Sequence, residues 1–123
     1  MGKVVAVVGA STDCDKFGNK ALRAFMAEGY TVIPINPNKI EVEGLKSYPS
    51  VLNVPCQIDI VTVYVQPNVA LNLLSDFSEK GIPEIWINPG AESEELLVAA
   101  KSKDLNVISA CSIVGIGRSP DDF

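Results

Sequence analysis

The turn GASTDCDKFG, residues 9–18, follows an apolar run and carries residue types suited to holding an anion. Gly9 lets the backbone turn tightly, Ser11 and Thr12 supply hydroxyls, and the free amides and positive dipole end of a following helix can receive a phosphate. Any strand-to-helix turn favours similar residues, so phosphate binding and plain turn formation both stay open at this point. A dinucleotide site would need G-x-G-x-x-G directly after the strand and a carboxylate about 20 positions further on for the ribose hydroxyls. Here Gly9 is followed by Ala10, Ser11 and Thr12, the next glycine is Gly18, and the corresponding later stretch reads Asn36, Pro37 and then Lys39. A lysine in place of the carboxylate suits an adenosine moiety bearing an extra phosphate; a solvated lysine is the alternative.

Other chemistry is thinly represented. The chain has no histidine, which removes the commonest general base and metal ligand. Glu92, Glu94 and Glu95 fall at the start of a helix, where carboxylates meet the dipole favourably without any catalytic purpose. Cys14, Cys56 and Cys111 are far apart and show no CxxC spacing, which predicts free thiols and neither a disulfide framework nor a metal site. Six basic residues face six acidic ones up to residue 61, and four face nine from residue 62 onward. An acidic chain without basic runs is a poor nucleic-acid binder, because that affinity depends on phosphate neutralisation.

The elements that must position these residues show as hydrophobic periods. Lys3–Val8 is a β-branched run ended by Gly9, the pattern of a strand buried on both faces of a parallel sheet. A helix over Gly18–Glu28 puts Ala21, Leu22, Phe25 and Met26 on one face, with Gly29 as its cap. Tyr30–Ile35 is a second strand whose Pro34 belongs near its end. A loop follows, with Ser50 capping at most a short helical turn. Ile58–Val65 is a third strand; Pro67 starts a helix with Ala70, Leu73, Leu74 and Phe77 on one stripe and Gly81 at its end. Glu84–Ile87 is a fourth strand, with Trp86 expected in the core, Glu94–Lys103 a third helix and Leu105–Ser109 a fifth strand. Such alternation implies an α/β fold: one doubly wound parallel five-stranded sheet with helices on both faces, three layers in all. At 123 residues one domain is expected, and no run reaches the roughly 20 apolar residues of a membrane span, so the expectation is a soluble cytoplasmic protein. Residues 112–123 read equally well as a packing arm or a disordered end.

In such sheets ligands bind beyond the carboxyl ends of the strands, where strand order reverses. Those ends carry GASTDCDKFG, NPNK, VQPN and NPGAES.

The ordered set VVGAS…KFGNKAL, VIPINPNKIEVEGLKSYPSV, IDIVTVYVQP and IWINPGAESEE resembles the small stand-alone coenzyme A-binding proteins. Their Rossmann-like domain is similar to the one at the start of the succinyl-CoA synthetase α subunit. The resemblance extends from Lys3 to about Cys111. It implies that Gly9, Ala10, Ser11, Thr12, Lys16, Phe17 and Gly18 line a loop facing the nucleotide and its phosphates. Asn36, Pro37 and Lys39 would form a second wall, with Lys39 the partner of a CoA phosphate. Tyr64, Val65 and Pro67 would flank the adenine or pantetheine, and Asn88, Pro89 and Gly90 would close the site with backbone groups. Tyr64 and Val65 could instead be core residues, and the prolines turn formers. Many relatives carry Asp-Arg-Cys near the last strand's end, where this chain has Ser109, Ala110 and Cys111, which puts any function of that triplet in doubt.

The implied function is binding of coenzyme A or an acyl-CoA without catalysis. The synthetase's phosphohistidine lies in a domain this sequence lacks, and the CoA phosphates, not its thiol, should face the loop that holds Cys14. A small NAD(P)- or nucleotide-dependent enzyme is the alternative, disfavoured by the missing fingerprint. An interaction domain that keeps the fold without a nucleotide is another. Acyl preference, homo-oligomerisation and a protein partner stay open.

Overall fold

In the computed structural model, which describes residues 3–123, the chain runs β1 (Val4–Val8), α1 (Phe17–Ala27), β2 (Thr31–Ile35), β3 (Glu41–Val42), β4 (Leu45–Lys46), β5 (Ile60–Val63), α2 (Pro67–Lys80), β6 (Glu84–Ile87), α3 (Glu94–Ser102), β7 (Val107–Ser109) and α4 (Ser112–Gly115). Five parallel strands form one sheet in the order β2-β1-β5-β6-β7. β1 lies inside the sheet because its β-branched residues bury both faces. Val5 and Val7 join Leu22, Phe25 and Ile113 on one side; Ala6 and Val8 join Leu74, Phe77 and Leu96 on the other. So α1 and α4 cover one face and α2 and α3 the other, the expected three layers.

The differences from expectation have local causes. Pro34 pairs with Val7 inside β2, yet β2 is an edge strand and the Pro34 carbonyl accepts from the Tyr48 amide outside the sheet. Its missing N–H therefore removes no bond to β1. Residues 41–46, expected as loop, form the β3–β4 hairpin. Its turn residues Glu43 and Gly44 have φ of 52° and 76°, the left-handed pair of a tight two-residue hairpin turn. β5 and β7 are shorter than the runs at 58–65 and 105–109. Met26, expected on the buried stripe of α1, is exposed.

Residues 112–123 lie as an arm against α1 and the sheet. Ile113 is fully buried, and the Phe123 ring lies 5.9 Å from the Arg23 guanidinium and 6.0 Å from that of Arg118. Arg118 pairs with Glu28 at 2.6 Å. Trp86 belongs to the core under this arm, though only half-buried: a β-carbon on Gly115 would lie 2.7 Å from its ring, and its indole N–H donates to Glu84 at 2.7 Å.

Candidate site at the carboxyl edge of the sheet

The chain leaves β1 to one side for β2 and to the other for β5, so the order reverses between β1 and β5, where α/β sheets place ligands. Two glycines shape this point. A β-carbon on Gly9, at φ +91°, would lie 3.0 Å from the Tyr64 peptide, and one on Gly18 would lie 2.2 Å from the Gly9 carbonyl oxygen. The first turn of α1 thus rests directly on the end of β1. The amides of Phe17 and Gly18 open that helix and have no intrahelical acceptor.

Side chains from several elements hold the intervening loop. Asn36 Nδ2 donates to the Ala10 carbonyl at 2.8 Å, and Asn19 Nδ2 to the Ser11 carbonyl at 2.8 Å and to Glu43 at 2.9 Å. Arg23 donates to Asn19 Oδ1 at 2.6 Å, to the Cys14 carbonyl at 2.9 Å and to the Phe123 backbone oxygen at 3.0 Å. The hairpin and the tail are therefore braces for the loop.

Two cavities meet at this turn and share Gly9, Lys16 and Val65. The larger, about 430 Å³, opens between the loop after β2 and α2, and its walls are mainly apolar. The smaller, about 320 Å³, runs between Phe17, Tyr64, Pro89 and Gly90. Of the residues implied by the sequence, Ala10, Ser11, Asn36 and Pro37 line the larger cavity with the shared three, and Phe17, Gly18, Tyr64, Pro89 and Gly90 line the smaller.

Four others lie outside both. Thr12 and Lys39 are exposed on the two loops. Pro67 opens α2 at its first position, where its missing N–H has no acceptor to lose. Asn88 is 1% exposed and its amide is committed inside: Nδ2 donates to Thr62 Oγ1 at 2.6 Å and the Val63 carbonyl at 3.0 Å, while Oδ1 accepts from the Ser112 amide at 2.8 Å. Ser112 Oγ in turn lies 2.7 Å from Thr62 Oγ1 and 3.0 Å from the Tyr64 hydroxyl. Burial, above all, pushes the Tyr64 phenol up to about 12, so it stays neutral and serves as a hydrogen-bonding wall.

Sequence reasoning missed the α2 wall, where Val69, Leu73 and Asp76 line the larger cavity together with Ser50. The signal was present: Asp76 stands at i+7 from Val69 and i+3 from Leu73, a carboxylate on an otherwise apolar helical stripe. The three cysteines are free, Cys14 and Cys56 exposed and Cys111 half-buried. Among the described residues no group of three or more His, Cys, Asp or Glu side chains is placed to hold a metal ion, and no helix is long and apolar enough to cross a membrane.

A family model described as a CoA binding domain matches residues 3–116. The chain belongs to the CoA binding domain family. This CoA binding domain is 32% identical over 106 residues to the uncharacterized protein YneT of Bacillus subtilis, covering 86% of this chain and 78% of that one. It is also 32% identical over 95 residues to acetate–CoA ligase [ADP-forming] II of Archaeoglobus fulgidus, which covers 76% of this chain but only 14% of the ligase. A conserved hypothetical protein from Pyrococcus furiosus superposes with a TM-score of 0.84 at 36% identity, over 94% of this chain and 99% of that one. The resemblance and the Rossmann-like α/β fold read from the sequence both hold for this CoA binding domain.

Proposed function

We propose that the domain binds coenzyme A or an acyl-CoA across the carboxyl edge of its sheet and performs no chemistry of its own. The observation that carries this reading is the junction of the two cavities at the glycine turn beside Lys16. A ligand with a flat base, a charged middle and a long thin arm matches that sequence of environments. The base takes the larger apolar cavity, the diphosphate lies over Gly9–Gly18 at the N-terminus of α1, and the pantetheine arm passes between Phe17, Tyr64 and Gly90. Lys39, exposed on the loop after β2, is available to the phosphate that distinguishes coenzyme A from other adenine cofactors. In support of binding without catalysis, the sequence has no histidine and the Tyr64 phenol, pushed up by burial, stays protonated near neutrality and offers no base there.

Calorimetric titration with coenzyme A, acetyl-CoA, NAD, NADP and ATP tests the reading. Coenzyme A-selective binding that is lost in Ser11→Trp, which fills the larger cavity, is the expected result. Selectivity for NADP would move the assignment to a dinucleotide enzyme, and binding of none would favour an interaction domain.

A further inference from the structure

We infer that Asp76, assisted by Ser50, reads the exocyclic amine of the ligand's adenine and so selects a 6-amino over a 6-oxo purine; this rests on the coenzyme A reading above. The larger cavity is walled by Ile35, Val51, Val69, Leu73 and Phe77, surfaces suited to the two faces of a flat ring. Into this apolar setting α2 brings one carboxylate. Asp76 is half-buried, and its Oδ2 lies 3.5 Å from Ser50 Oγ, at the outer limit of a hydrogen bond. Ser50 Oγ is meanwhile an acceptor for the Leu52 amide at 3.1 Å, which directs the hydroxyl proton toward Asp76. The ion pair formed among the described residues joins Arg118 and Glu28 and does not involve Asp76.

An ionised carboxylate only accepts, with room for several donors, and Ser50 supplies one weak bond. The carboxylate thus has acceptor capacity left facing a cavity whose other walls are largely apolar. Adenine offers two N–H bonds on its 6-amino group and an apolar ring on either side of them. A 6-oxo purine would set a carbonyl oxygen against the carboxylate in a partly desolvated place, and its one donor on that edge, N1–H, lies a ring position away from the spot the amine fills. Mounting on a 14-residue helix fixes the carboxylate's position.

The test compares coenzyme A with its hypoxanthine analogue, in which the 6-amino group is replaced by a 6-oxo group, by titration calorimetry on the wild type, Asp76→Asn and Ser50→Ala. The wild type is expected to prefer coenzyme A by about ten- to a hundredfold. In Asp76→Asn that ratio should collapse or invert, since an amide can donate to the 6-oxo oxygen; a purely structural role would weaken both ligands alike. Ser50→Ala should narrow the ratio by a smaller factor. A wild type that binds coenzyme A and its analogue equally overturns the inference while leaving the coenzyme A reading intact, whatever the stability of the variants. An unchanged ratio in folded Asp76→Asn does the same. A wild type that binds neither ligand overturns both.

Discussion

Ser112 Oγ lies 3.0 Å from the hydroxyl of Tyr64, so the first residue of the C-terminal arm bonds directly to a wall of the smaller cavity. The same oxygen meets Thr62, and the Ser112 amide is taken up by Asn88. One short helix thereby ties together the ends of β5 and β6, and the wall that faces the proposed pantetheine path is set by residues outside the cavity.

The Tyr64 phenol carries a pH prediction. Its pKa is pushed up from 10.0 to about 12, with burial the largest cause. The native state therefore holds this proton where the unfolded chain has released it, and stability should fall as pH rises from 10.0 toward 12. Denaturant unfolding across that window should show a shallower decline in Tyr64→Phe than in the wild type. Equal slopes would show that Tyr64 is not the group responsible.

Gly18→Ala should be costly. The new β-carbon would fall 2.2 Å from a backbone oxygen that cannot rotate away, so α1 must shift off the end of β1. A loss of about 2 kcal/mol or more is expected in urea unfolding, with coenzyme A affinity falling as the first-turn amides move. Wild-type stability and affinity in this variant would refute the close approach.

Arg23 braces the loop through the Cys14 carbonyl and Asn19, and reaches the arm through Phe123. Arg23→Ala should speed amide hydrogen exchange in residues 11–16 and lower coenzyme A affinity about tenfold, although Arg23 lines neither cavity. Exchange rates and affinity matching the wild type would mean that the loop holds its shape alone.

Lys39 is exposed, so its contribution to binding should be modest and salt-sensitive. Coenzyme A should bind up to about fivefold more tightly than dephospho-CoA, with the gap shrinking in Lys39→Ala and at high ionic strength. A preference that survives the substitution would assign the extra phosphate to another group.

Local pattern was enough for a good part of this molecule. The β-branched run before Gly9, the 3.6-residue stripes of α1 and α2, and the four strand-end loops are properties of neighbouring residues, and a single turn or strand expresses them without help from the rest of the chain. The order of the alternating elements then limits the fold to a parallel sheet with those loops gathered at its carboxyl edge. What needed the tertiary structure concerns partners far apart in sequence. The sequence places Asn88 in a strand-end loop but does not show that its side-chain amide is held inside between Thr62 and Ser112, 26 and 24 residues away. The tail's sequence suits an arm or a loose end equally, and only the fold brings Ile113 and Trp86 into one core. Asp76 reads as the polar side of a helix unless Ser50, 26 residues earlier, is known to stand across a cavity from it. Periodicity assigns a residue to a face; only the closing of the chain decides whether that face meets core, solvent or an empty pocket, because each outcome depends on long-range contacts that no local window contains.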